Sequence, residues 1–338
     1  MEGPVKRFEK FADDVMRSAQ LAAALEASGW PKPGNVHRTA DFEDTTFEQF
    51  LAGSVALGPQ ARKAALRGIE AGLGRIGLGE VRVGETINGM VGDVRSWHRG
   101  GNTHFGACLL LAPLSVSAGY TFARASEIRV PEVRRNAARV MEATTVQDAL
   151  KFLEAMRKAV PAGLGRLGSG DLPDVREKGA GRKIARKGFT LYDMMKASSS
   201  WDNVAKEWAT GMEITFRHGF PTWSRAKRET GSVNIATVQT FLTILSRFPD
   251  TLIARKIGLK KTDNVERAFS IGLDKAAEVS KRASMILGIG GARTKEGVEA
   301  LRDFDADLRA GGGELNPGTT ADLTLASIMV ALLGGERP

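Results

Sequence analysis

Four segments of this chain gather cationic, amide and hydroxyl side chains just ahead of stretches that read as helices. The first is Gly29-Trp30-Pro31-Lys32-Pro33-Gly34-Asn35-Val36-His37-Arg38. Pro31 and Pro33 restrict the backbone on either side of Lys32, and Gly34 permits a sharp turn. Lys32, Asn35, His37 and Arg38 thus crowd one stiff loop, a composition suited to an anion such as a polyphosphate. The second segment, Arg99 to Gly106, carries Asn102, Thr103 and His104. The third, Phe248 to Lys256, carries Asp250, Arg255 and Lys256, and the fourth, Leu315 to Asp322, carries Thr320. Helix starts expose unpaired N–H groups at a positive dipole end, which suits phosphate. Taken singly, each segment also reads as an ordinary helix cap.

Asp202 stands near the start of an expected helix, Trp201 to Phe216, with Glu213 eleven residues later. At ~1.5 Å per residue they lie about 16 Å apart, too far to share a metal ion, so Glu213 is expected to pair with a base. Aspartates together with substrate phosphates suit Mg2+. The four histidines show no pair at zinc-ligand spacing on a helix, although His98 and His104 flank one glycine loop. The single cysteine, Cys108, excludes an internal disulfide, and its apolar surroundings predict burial. Two Gly-x-Gly-x-x-Gly runs, Gly72–Gly77 and Gly163–Gly168, each follow a helical pattern instead of a strand. They are expected to terminate helices and not to bind a dinucleotide.

The elements that position these residues are helical. Helix spacing runs through Phe8–Ala19, Ala61–Ala71, Val146–Ala159, Val233–Phe248, Asn264–Leu287, Lys295–Ala310 and Thr320–Leu333. The only strand-like scrap, Glu80 to Val83, is too short for a sheet. The expectation is an all-α protein with one domain over residues 1–338. Within it, the Gly-, Lys- and Arg-rich stretch 168–189 is a candidate basic loop or lid. The formal charge of +9 points to an anionic partner. Nucleic acid is disfavoured, because the bases alternate with acids and no aromatic residue interrupts the basic run Arg176 to Lys187. The charged start, Met1 to Asp14, has no signal-peptide character, and the apolar run Ala107 to Ala118 contains Pro113 and is too short to span a bilayer. A cytoplasmic protein with no membrane segment is expected.

Pro31-Lys32-Pro33-Gly34-Asn35-Val36-His37-Arg38, Asn102-Thr103-His104-Phe105-Gly106-Ala107 and Asn316-Pro317-Gly318-Thr319-Thr320-Ala321-Asp322-Leu323 are spread over most of the chain. In that order they resemble the triphosphoribosyl-dephospho-CoA synthase family. The resemblance implies an all-α enzyme in which a hydroxyl of dephospho-CoA displaces adenine from ATP, leaving an α-linked triphosphoribosyl group. Citrate-lyase-type members follow the first block with Gly-Ala-His and an Asp, where this chain has Asp41-Phe42-Glu43-Asp44-Thr45. Asp250 to Lys256 looks instead like the archaeal-type branch, which includes organisms that make methanopterin. That branch brings in phosphoribosyl pyrophosphate as donor and a ribitol-bearing pterin as acceptor.

The displacement that the resemblance implies needs a phosphate pocket and a carboxylate to take the alcohol proton. Lys32, Asn35, His37 and Arg38 are the expected cradle. Asn102, Thr103, His104 and Thr320 add contacts from helix starts, and Arg255 and Lys256 complete the clamp. Asp44 is the expected base, and Asp202 and Asp250 the expected magnesium ligands. A homodimer is the candidate assembly. Two other classes use the same residues: a nucleoside phosphate hydrolase with water as acceptor, and a non-catalytic nucleotide or nucleic-acid binder.

Overall fold

The computed structural model describes residues 4–159 and 173–338. The second glycine run, Gly163–Gly168, and the first part of the expected basic loop, 168–172, lie outside the described residues. The chain forms α1 (Pro4–Ser28), α2 (Phe47–Ala56), α3 (Gly58–Gly72), α4 (Val83–Trp97), α5 (Phe105–Ala125), α6 (Val130–Glu142), α7 (Val146–Ala159) and α8 (Ala180–Lys187). These are followed by α9 (Leu191–Ser198), α10 (Asn203–Ala209), α11 (Phe220–Thr230), α12 (Val233–Arg247), α13 (Thr251–Leu259), α14 (Val265–Gly288), α15 (Lys295–Arg309) and α16 (Gly318–Leu333). Among the described residues the only β-type pairings are two isolated bridges, His37–Ala40 and Phe42–Thr45, so the all-α expectation holds.

α5 is the central element, packed by α1, α3, α4, α6 and α16. The apolar run read as Ala107 to Ala118 continues into a helix of 21 residues, which by length and composition alone could cross a membrane. Its apolar window is 83% buried inside the protein, as the core helix of a globular fold would be. Cys108 is buried on this helix, where desolvation pushes its thiol pKa up. A second core lies among α12, α13, α14 and α15, built on Val238, Phe241, Leu245, Ala254, Leu301 and Phe304. Glycines set the closest crossings. A Cβ on Gly119 of α5 would fall 2.0 Å from Ala65 O of α3, and one on Gly258 of α13 would fall 1.9 Å from Ala268 O of α14.

Two expected elements differ. The helix read over Trp201 to Phe216 is broken: α10 ends at Ala209, Gly211 and Met212 take φ +60° and +58°, and a π-helical turn covers Ile214–Gly219. The break is held by a tertiary device. The buried Glu207 accepts from Ile214 N at 2.6 Å and Thr215 N at 2.9 Å, while Arg134 Nε donates to Gly211 O at 2.9 Å. Glu213, as expected, pairs with Arg217 at 2.9 Å. The basic stretch carries α8, docked on α7 through the buried Ala180 and Ile184, in place of a continuous loop. The run Gly72–Gly77 does terminate α3, with Gly74 at φ +74°.

Candidate active site

Three of the four segments meet at the starts of α5, α10, α13 and α16. Asp250 accepts from Leu252 N (2.9 Å) and Ile253 N (3.2 Å) through Oδ1, and from Thr320 N and Oγ1 (both 2.7 Å) through Oδ2. It therefore caps its own helix and clamps α16 to it. Asn203 N donates to Thr251 Oγ1 at 3.2 Å, and that hydroxyl donates to Thr319 Oγ1 at 3.2 Å, which joins α10 to both. Asp202 caps α10 through Oδ1, accepting from Val204 N at 2.8 Å and Ala205 N at 3.1 Å, and pairs with Arg255 through Oδ2. α5 joins through Asp322, whose Oδ2 lies so close to Gly106 that a Cβ there would be 2.1 Å away. Asp322 also has the Ala107 N–H as a backbone partner.

Asp322 is surrounded by protein on all sides yet keeps some solvent contact, as do Gly106, Asp202, Leu252, Arg255 and Gly318. These partly exposed residues group Asp322 with the starts of α5, α10, α13 and α16. Burial pushes its pKa well up, reinforced by the negative charges of Glu26, Asp250 and Asp202. Burial likewise raises Glu26 and Asp250. The cations opposite them are Lys32, which reaches Glu26 Oε1 at 2.5 Å, Arg255, and Lys256, which donates to Gly313 O at 3.0 Å. Burial lowers both lysines. The helix starts are thus not bare anion sites: Asp202, Asp250 and Asp322 already take their N–H groups.

The first segment is tied down in several directions. Lys32 and Asn35 face the interior, and Asn35 Nδ2 donates to Asn316 Oδ1 at 2.8 Å. His37 turns instead to Asp305 of α15, with Nε2 3.1 Å from Oδ2, and Arg38 donates to Asn234 of α12. Gly34 N and Arg309 Nε both meet Asp305 Oδ1 at 2.8 Å. The expected four-residue cradle is therefore split: two members face the site, while His37 and Arg38 anchor the loop. Asp44 is exposed on the rim, where its backbone carbonyl accepts from Gly101 N at 3.1 Å and its charge acts on Lys256. Asn102 is exposed and caps α5 by accepting from Phe105 N at 3.1 Å. Thr103 Oγ1 sits between the two histidine rings, 3.1 Å from His98 Nε2 and 2.9 Å from His104 Nδ1, so these nitrogens do not chelate an ion.

Asp250 departs from its expected role as a metal ligand, because all four of its acceptor positions hold helix N–H or hydroxyl donors. Thr320 is held by Asp250 and serves as scaffold. The sequence reading missed Glu26 and Asp322 as site residues. The signal was present for both. Glu26 continues the buried stripe Val15, Ala19, Ala22 of α1, and Asp322 is the lone charge in the apolar α16.

The family model described as CitG: ATP:dephospho-CoA triphosphoribosyl transferase matches residues 12–338. The 2-(5''-triphosphoribosyl)-3'-dephosphocoenzyme-A synthase of Klebsiella pneumoniae is 25% identical over 318 residues, covering 92% of this chain and 88% of its own. A crystal structure from Archaeoglobus fulgidus that carries the triphosphoribosyl-dephospho-CoA synthase name superposes with a TM-score of 0.59 at 26% identity. That match covers 86% of this chain and 100% of the other. With the blocks of Asn35, Gly106 and Asp250 all meeting the Asn316–Asp322 block at the start of α16, and the family model matching residues 12–338, this chain belongs to the ATP:dephospho-CoA triphosphoribosyl transferase family.

Proposed function

We propose that this cluster of helix starts holds ATP beside an alcohol acceptor, the hydroxyl of dephospho-CoA, and transfers the triphosphoribosyl group to it. The observation that carries this reading is the convergence of the motif blocks on the start of α16, where Asp322 packs against Gly106 and feels the charge of Asp202, itself paired with Arg255. In the reaction, the acceptor oxygen bonds to the anomeric carbon as the bond from that carbon to adenine breaks. The bonding electrons leave with adenine, which takes up a proton, and the acceptor hydroxyl gives one up. Asp322 suits the first transfer, because a carboxyl with a strongly raised pKa keeps a proton to donate to the departing purine. Asp44 on the rim suits the second, as the base facing the acceptor. Arg255 and Lys256 would neutralise the triphosphate.

Mg2+ fits this site as a nucleotide-bound ion. Among the described residues no three metal-ligating side chains are gathered, so the chain would supply one or two carboxylates and the substrate phosphates the remaining oxygens. Asp202, through the oxygen now on Arg255, would hold it, and the ion would offset phosphate charge.

A second acceptor class rests on the sequence of the rim. Asp41 to Thr45, where the chain leaves the citrate-lyase-type pattern, forms the bridged turn that places Asp44 beside Gly101 and within the field of Lys256. A ribitol-bearing pterin acceptor with phosphoribosyl pyrophosphate as donor, in the archaeal-type branch, is that second reading. Incubating the protein with either donor and either acceptor separates the readings by the released group and the product mass. Adenine release that depends on dephospho-CoA is expected. Pyrophosphate release that depends on the pterin would favour the second reading, adenine release without acceptor would make the protein a hydrolase, and release of neither group would end both transfer readings.

A further inference from the structure

His104 opens α5 and is buried, yet its Nε2 has no hydrogen-bond partner. Such orphaned polar atoms are uncommon in folded proteins. The contacts on the rest of the ring determine what that atom carries. Gly100 N donates to His98 Nδ1 at 3.2 Å, so that nitrogen has no proton. Burial and Arg95 lower the pKa of His98, and the neutral ring must then hold its proton on Nε2. His98 Nε2–H points at Thr103 Oγ1, 3.1 Å away, so the hydroxyl accepts there. Its own proton goes to His104 Nδ1 at 2.9 Å. His104 Nδ1 is thereby an acceptor, and the proton of the neutral ring sits on Nε2. Burial, with the nearby His98 ring and the Lys32 ammonium adding to it, holds His104 at a pKa of about 3.

The ring is clamped in place. Phe50 lies 5.2 Å away between ring centroids, and Gly53 leaves room for Nδ1 and Cε1, which a Cβ would meet at 2.6 and 2.8 Å. The ring feels the charge of Lys32, which pairs with Glu26, whose charge in turn acts on Asp322. The free N–H is thus a buried donor at the start of α5, in the field of Lys32 and two residues from Gly106, against which Asp322 packs. Since it can donate and not accept, only an acceptor atom can satisfy it.

We propose that His104 binds the donor nucleotide by donating its Nε2–H to an acceptor atom there, a phosphate oxygen or a purine ring nitrogen, with Thr103 and His98 as positioning residues that lock the tautomer. This rests on ATP being the donor, as read above, and deepens that reading.

Nitrogen NMR on protein labelled with 15N-histidine tests it, since only four histidines contribute signals. His104 is expected to be protonated at Nε2 and bare at Nδ1, with the Nε2–H signal moving on addition of ATP. Tripolyphosphate reproducing the shift would place the acceptor on the phosphates, and adenosine reproducing it would place it on the purine. The opposite tautomer, or no shift with any of the three, overturns the proposal. In titrations, His104→Ala is expected to weaken ATP binding roughly threefold to tenfold. His104→Gln should restore part of this through its amide N–H, and Thr103→Val should lose affinity although His104 is intact. A folded His104→Ala protein with wild-type ATP affinity also overturns it. These measurements contain no acceptor, so an ATP-induced shift in a protein that transfers nothing would sink the transfer reading and leave the role of His104 standing.

Discussion

At the residue scale, the site is decided by which polar groups already have partners. Asp250, Thr320, His37 and Arg38 are engaged in holding helices and loops together, whereas the partly exposed Asp322 and the buried His104 retain unused hydrogen-bonding capacity. Asp322→Asn separates the two kinds of residue. Asparagine is close in shape and, like the protonated carboxyl it replaces, carries no charge, so folding should be preserved. Adenine release should fall by roughly a hundredfold or more, the usual size of a general-acid contribution. Comparing turnover and thermal midpoint in one preparation checks this; wild-type turnover would remove Asp322 from the chemistry. These roles were only partly legible in the sequence. The residue types of the Pro31–Arg38 loop are right for phosphate, but whether His37 points at a ligand or at Asp305, 268 positions away, is not encoded in the loop itself.

At the element scale, helix starts were legible and the break after α10 was not. Asn264, Thr294 and Asp250 cap helices where their side chains predict, because capping is a local hydrogen bond. The segment Trp201 to Phe216 keeps helical periodicity throughout, yet Glu207 and Arg134 hold it open at Gly211. Glu207 titrates at about 7 in the fold, against a reference of 4.5, chiefly through burial. Between those values the folded protein binds the extra proton. Its contribution to stability is therefore complete below about pH 4.5 and is lost as the pH rises through 7, by up to about 3 kcal/mol. His104 runs the other way: its depressed pKa contributes stability above about 6.5 that is lost as the pH falls towards 3. Denaturant titrations of wild type and Glu207→Gln isolate the first effect. The advantage of wild type over the variant should shrink from pH 4.5 to 8, and a pH-independent difference would contradict it.

At the scale of the whole molecule, two helix pairs are drawn together by glycine, and those crossings set the frame that brings the segments to one place. Gly119 and Gly68 let α5 and α3 touch backbone to backbone, and Gly258 and Gly272 do the same for α13 and α14. Gly119→Ala should cost at least about 2 kcal/mol, because the methyl group meets a carbonyl oxygen on a helix that cannot yield without moving the core. Gly288→Ala, with open space around it, should be neutral or stabilising by up to about 1 kcal/mol. Urea midpoints for the two variants give the contrast; equal effects would show that the α3–α5 crossing is not constrained.

The sequence by itself determined the helical class, the limits of α7, α12, α14, α15 and α16 to within a few residues, the cap at Asp250 and the order of the family's motif blocks. Each of these is written in local spacing of 3.6 residues or in a side chain reaching its own backbone. Only the tertiary structure decided that Asp322 lies against Gly106, that Glu26 neutralises Lys32, that Asp250 clamps Thr320 and that His104 is left with an unmet N–H. Those are contacts between distant positions. Their energies depend on burial and on neighbouring charge, which no short window of sequence contains.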